Sequence, residues 1–255
     1  MRVTLQPSFV LHTRPFNETS VIADVFTQSC GRVPLLAKGV RTMHAKYRGL
    51  LRPFLPLLVS WSGKTELMSL SHIELAGTPL NLVGNALLSG LYINELLVKL
   101  LPRFDAYPDI FSAYQNTLAA WLNQQNQAEV SLSQDAFHER SLRLLEKIIL
   151  MELGYGFSLD KESATGQAIL PDQYYIFMPG KGLSRCRVDD ADSSVFKGKS
   201  LLSLHQDALF EAEDLQSAKR LHRQALGALL GHKPLRSRDF FKKLAGMQKL
   251  KKEVV

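Results

Sequence analysis

Between Lys38 and Arg52 the chain carries Lys38, Arg41, Lys46, Arg48 and Arg52, with Tyr47 set between two of the cations, and no carboxylate occurs from Val25 to Thr65. This is chemistry for a polyanion: ammonium and guanidinium groups neutralise phosphates, and a flat ring gives an unstacked base a face to lie on. Arg32, counted with these cations as a candidate contact to the polyanion, and Lys64 belong to the same acid-free run, and Phe54 and Trp61 lie close by. Phe54 reads as a core residue, and Trp61 suits the core and stacking equally, which leaves Tyr47 as the better stacking candidate. With no acid to accept a hydrogen bond from cytosine and few amides, contacts from this stretch should go mainly to backbone phosphate, so sequence preference should be weak. Plain solvated charge is the competing reading.

Other chemistries fit poorly. Gly63-Lys64-Thr65 resembles the end of a phosphate-binding loop, but Leu58 stands where that motif needs its first glycine, and a strand rather than a helix should follow. There is no G-x-S-x-G nucleophile elbow and no H-E-x-x-H pair. His138, His205 and His222 read as surface or helix-face residues, and Asp189, Asp190 and Asp192 as a turn-forming acidic loop. Cys30 and Cys186, far apart in sequence, form neither a disulfide framework nor a four-ligand zinc site. The expectation is a protein that is not an enzyme and holds no metal or other cofactor.

The elements that must position the basic stretch are short strands. Residues 8–14 alternate, residues 19–27 are rich in β-branched and aromatic side chains, and Gly31 supplies the positive φ of a turn into a strand over 32–38. The basic stretch is then a long loop. A strand follows over 53–61, where Pro56 demands an edge or a bulge, and another over 66–75. Five short strands without a helical period predict a small closed barrel, of OB or SH3-like type. After Pro79 the period changes. Residues 85–101 are apolar around most of a helix, a second helix opens at Pro108 with Phe111, Tyr114, Leu118, Trp121 and Leu122 on one face, and a third runs from near Asp135 to Gly154. Residues 157–205 lose the pattern apart from short strands at 173–178 and 183–188, and a last helix spans Asp214 to Gly231. The fold class is thus α+β: an N-terminal barrel over 1–79 and a mainly helical domain over 80–255 with an irregular insertion.

Charge sharpens the picture. The net charge of +7 is modest, but Lys233, Arg236, Arg238, Lys242, Lys243, Lys249, Lys251 and Lys252 make a second basic pole against Asp239 and Glu253, while the middle of the chain is acidic on balance. Such clusters repel themselves and gain from a polyanion, nucleic acid above all. No apolar run is long enough to cross a bilayer, and the first residues lack the apolar stretch of a signal peptide, so a cytoplasmic protein without membrane attachment is expected.

Read in order, FVLHTRPFNETSVIADVFT, GRVPLLAKGVR, RGLLRPFLPLLVSWSGKTEL, LSGLYINELL, ELGYG and LGHKPLRSRDFF resemble the RecO family of bacterial DNA repair and recombination mediators, over most of the chain. That resemblance implies an OB-fold on a helical domain, binding of single- and double-stranded DNA, and strand annealing without nucleotide hydrolysis. It also implies action with RecR to load RecA onto strands covered by single-stranded DNA-binding protein, contact with that protein's acidic C-terminal tail, and association with the nucleoid during repair. The family's basic OB loop falls on Lys38, Arg41, Lys46, Arg48 and Arg52. Its tail-binding surface falls on the helical domain, where Leu142 and Arg143 are the matching choice, unless Arg143 pairs with Glu139 or Glu146 on its own helix. Some members carry a four-cysteine zinc site after the ELGYG stretch; Cys186 alone stands there in this chain. Two other readings stay open: an adaptor that mainly binds acidic protein tails, and a nuclease using the aspartates of 189–192.

Overall fold

In the computed structural model, residues 1–42, 47, 49–126, 132–187, 194–231 and 234–237 are described, side chains of 132–134 excepted. The described residues form two compact units, 1–126 with 234–237, and 132–231.

The first unit begins with five strands, β1 (Arg2–Phe16), β2 (Ser20–Thr27), β3 (Gly31–Ala37), β4 (Leu57–Ser62) and β5 (Met68–Leu75). They close in the order β1-β2-β3-β5-β4, with β4 pairing back on β1. All neighbours are antiparallel except β3 and β5, which run parallel through Leu35↔Met68 and Leu36↔Ser69. The result is an OB-like barrel. β1 is long enough to serve both sides of the closure because it bends. Its first half pairs with β4, its second half with β2, and the register slips between Val3 and Gln6 and again between Val10 and His12. At the first slip Leu5 takes φ 48° and its N–H donates to Ser60 Oγ at 2.9 Å.

Inside lie Val10, Ala23, Val25, Val33, Leu35, Leu57, Val59, Trp61, Met68 and Ile73. Trp61 is fully buried, so this ring belongs to the core. Taking about 150–250 Å² of aromatic surface out of water contributes about 4–6 kcal/mol. That outweighs the about 1–3 kcal/mol cost of an indole Nε1 with no partner among the described residues.

The expected strand over 53–61 is shorter. A closed barrel offers Pro56 no edge, so β4 starts after it at Leu57, and Phe54 turns through φ 64° to bury its ring. That ring rests on Gly90, where a Cβ would come within 2.8 Å of it. Gly31 behaves as expected: φ is +67°, and a Cβ there would run into the carbonyl of Asp105.

Both faces of β2 are apolar because the outer face is covered too. Helices α1 (Gly84–Leu100) and α2 (Pro108–Gln125) follow the barrel, and Phe9 and Phe26 meet Phe111 and Tyr114 of α2 with ring centroids 5.3–6.3 Å apart. A buried amide in this layer is satisfied at both ends. Asn94 Nδ2 donates to Leu11 O at 3.1 Å, and Tyr114 OH donates to Asn94 Oδ1 at 2.7 Å. Residues 234–237 return to α1, where Glu95 accepts from the N–H groups of Arg236 and Ser237 at 3.0 and 2.9 Å and from Ser237 Oγ at 2.7 Å.

The second unit holds α3 (Leu132–Glu152), the antiparallel sheet β7-β6-β8 from β6 (Tyr174–Met178), β7 (Gly182–Cys186) and β8 (Val195–Lys197), then α4 (Gly198–His205) and α5 (Ala212–Leu230). The stretch expected to be largely irregular thus contains a third strand and a short helix. None of the described helices is long and apolar enough to cross a membrane.

Candidate nucleic-acid interface

The basic loop leaves β3 at Ala37. Its apolar residues tie it to the barrel, and its described cations are left outside. Val40 is buried, while Tyr47, Leu50 and Leu51 pack on the barrel core. Backbone bonds fix the departure and the return: Arg41 N–H donates to Thr19 O at 2.9 Å, and Leu50 N–H to Tyr47 O at 3.1 Å. Lys38, Arg41 and Arg52 are all exposed. Arg41 reaches back to Asn17 O at 3.1 Å, a bond a solvated guanidinium can exchange for a phosphate. Lys46 and Arg48 lie outside the described residues.

Arg32 is placed differently. Its Nη1 sits 2.8 Å from Asp24 Oδ1 and its Nε donates to Leu101 O at 3.0 Å, with both side chains 13% exposed. This guanidinium clamps β2, β3 and the end of α1 together and is committed to that task. Acids near the barrel are also engaged: Glu66 with Arg103 at 2.9 Å, and Glu74 with His72 at 3.0 Å.

Lys38 and Tyr47 come together at one place. A cavity of about 350 Å³ opens between β3, β4 and β5, lined by Leu36, Lys38, Tyr47, Ser62, Ser69 and Ser71 among others. The Tyr47 ring stands edge-on to His72, centroids 6.4 Å apart. Sequence reading missed the three serines. Ser62 and Ser69 face each other across the antiparallel β4–β5 pair; what leaves no local pattern is the long-range parallel pairing that sets Leu36 of β3 beside Ser69.

In the second unit, Leu142 and Arg143 lie on the inner side of α3. Arg143 Nη1 is 2.8 Å from Glu146 Oε2, and His222 Nδ1 of α5 is 3.1 Å from the same oxygen. All three side chains are buried, so His222, expected on a surface or helix face, is an inner-face residue of α5 held against a carboxylate. His222 also lines a cleft of about 450 Å³ with Lys147, Leu150, Met151, Phe157, Leu159, Asp160 and His205. Lys147 closes the end of α4, donating to Leu204 O at 2.9 Å and His205 O at 3.0 Å and meeting Asp207 Oδ1 at 2.7 Å. Among the described residues no group of three His, Cys, Asp or Glu side chains is arranged to hold a metal ion. Asp189, Asp190 and Asp192 lie outside them.

Two family models match the chain, "Recombination protein O N terminal" over residues 1–79 and "Recombination protein O C terminal" over residues 83–239. The DNA repair protein RecO of Coxiella burnetii (strain CbuG_Q212) is 40% identical over 238 residues, 93% of this chain and 97% of that protein. The DNA repair protein RecO of Nitrosococcus oceani is 40% identical over 244 residues, 96% and 95% of the two chains, and that of Burkholderia pseudomallei 39% over 240 residues, 93% and 82%. With an OB-like barrel, a helical region following it in sequence and relatives matched nearly end to end, this chain belongs to the RecO family of DNA repair proteins.

Proposed function

We propose that this protein binds single- and double-stranded DNA, anneals complementary strands, and with RecR assists loading of RecA onto strands covered by single-stranded DNA-binding protein. The observation that carries the reading is the acid-free run from Val25 to Thr65, whose Lys38, Arg41 and Arg52 stand exposed while its apolar residues hold the loop down. Cations arranged so neutralise phosphates without engaging base edges. Two strands then repel each other less and their bases stay free to pair. The C-terminal basic pole would serve the second strand. Arg236 leaves the surface of α1 exposed, and the remaining cations of that pole lie outside the described residues. Such annealing uses no catalytic residue and no nucleotide, and its place is the cytoplasm, at the nucleoid during repair.

The test is the annealing rate of two complementary labelled oligonucleotides, without ATP, for the wild type and for Lys38→Glu/Arg41→Glu/Arg52→Glu. The reading expects the variant to fall towards the spontaneous rate. A variant as fast as the wild type would move the activity elsewhere.

The tail of single-stranded DNA-binding protein is assigned to the second unit. An acidic peptide with an apolar end suits the cleft floored by Leu150, Phe157 and Leu159 with His205 at its margin; Asp160 on the same cleft means apolar contact must supply most of the affinity. Leu142 and Arg143 act from behind, Arg143 through Glu146 on His222. A tail peptide should bind the wild type and bind Leu150→Glu at least tenfold more weakly. The adaptor reading, in which such tails are the main ligand and DNA is secondary, is favoured if the loop variant keeps its function in tail binding and wild-type affinity for DNA is negligible.

A further inference from the structure

The cavity beside the basic loop has a composition of its own. Strand pairing sets Leu36 of β3 beside Ser69 of β5, and Ser69 beside Ser62 of β4, so three strands build one row across its floor. Ser71, at the β4–β5 register shift two residues along β5, lines the same space. These three hydroxyls have no hydrogen-bond partner among the described residues. Tyr47 stands at one side, packed on the barrel beneath it, and Lys38 at another. Among the described residues that line the space there is no carboxylate. A ring held by its packing, a row of open hydroxyls, an ammonium group and about 350 Å³ of room are the complements of a base, its polar edge or sugar, and a phosphate. The outer face along β1 and β2 is occupied by the aromatic layer with α2, whereas this face has space.

We propose that this cleft is a subsite for one unstacked nucleotide of single-stranded DNA, its base on the Tyr47 ring, its edge or sugar on Ser62, Ser69 and Ser71, and its neighbouring phosphate on Lys38. The inference rests on the DNA-binding reading above and adds to it a place that recognises a base rather than charge. Serine hydroxyls both donate and accept, so any of the four bases is accommodated. Duplex DNA, whose bases are stacked and paired, gains nothing from the site, which biases the protein towards single strands and the junctions next to them.

The experiment compares two oligonucleotides of equal length and charge, oligo(dT) and the same chain with abasic sites throughout, by fluorescence anisotropy. The wild type should bind oligo(dT) tighter by about tenfold, the scale of one stacked base. Tyr47→Ala should lose more affinity for oligo(dT) than for the abasic chain and so lose that preference, and Tyr47→Phe, which keeps the ring and its packing, should retain it. Ser69→Val, which narrows the cleft without touching Tyr47, should also lose it. Equal wild-type affinity for the two chains overturns the proposal and leaves DNA binding intact. So does a Tyr47→Ala or Ser69→Val loss that is the same for both chains, since the side chain would then be serving the fold. Binding of neither chain by the wild type would remove the DNA-binding reading together with the subsite.

Discussion

Single residues carry much of the explanation. Two arginines from the same acid-free run differ wholly in role: Arg32 is spent on Asp24 and Leu101, and Arg41 stands in solvent. Their sequence context does not separate them, because what distinguishes Arg32 is Asp24 on the neighbouring strand and a carbonyl from α1. Arg32→Ala is therefore expected to lower the unfolding midpoint, whereas Arg41→Ala should leave it within a degree or two; differential scanning calorimetry decides. Gly31 was legible, since a turn needed its positive φ, but the second demand on it, room for the Asp105 carbonyl, comes from a distant segment. Gly31→Ala should cost more than the about 1 kcal/mol usual for a left-handed glycine, read from urea unfolding. Glu95 gives a pH test. Burial alone would raise its carboxyl, but bonds from Ser237 N–H and hydroxyl, Arg236 N–H and Lys99 outweigh it and hold it below the ordinary value. A depressed carboxylate stabilises fully above the unfolded value, near 4.5, and loses that contribution as pH falls through the folded one. Thermal midpoints of wild type and Glu95→Gln should thus differ at pH 7 and converge on acidification.

Among the elements, those with strong local patterns were readable and those defined by partners were not. β2 and β3 appear within a residue of their expected bounds because β-branched runs end in turn residues. The first half of β1 was missed, since Pro7 and the slip at Leu5 break its alternation. β8 and α4 were missed because three residues of strand and eight of helix are too short for either period to register. Helix faces were visible, and Phe111, Tyr114, Leu118 and Trp121 are buried as their spacing requires; that α2 turns this face to Phe9 and Phe26 of the barrel was not. The joint has a direct test. Burial pushes the Tyr114 phenol above its ordinary range, so it stays protonated and donates to Asn94. Tyr114→Phe leaves Asn94 Oδ1 buried without that donor, and should cost about 1–3 kcal/mol in chemical unfolding. In the second unit, Glu146→Ala strands Arg143 and His222 away from water and should cost about 3–5 kcal/mol.

At the scale of the whole molecule, composition said the most about function and geometry the most about site. A net charge of +7 is ordinary in size; its segregation into an acid-free loop and a basic C-terminal pole is what supports the proposal of a polyanionic partner. The barrel supplies a base for the loop, and the chain returns to α1 through Glu95 at Arg236 and Ser237, within its basic C-terminal pole. Ser62, Ser69 and Ser71 belong to the neighbouring strands β4 and β5, but that they share a cleft with Lys38 and Tyr47 was not legible, because closure of β3 on β5 joins segments more than thirty residues apart. The central claim is that the loop's cations hold backbone phosphate, and it is tested most directly by single-strand affinity across a salt series, for the wild type and for Lys38→Glu/Arg41→Glu/Arg52→Glu. Removing one phosphate-neutralising cation should reduce the slope of log affinity against log salt by about 0.7. With three removed, the account predicts a variant both weaker and flatter in its salt dependence, by about 2 units of slope; an unchanged affinity and slope would contradict it.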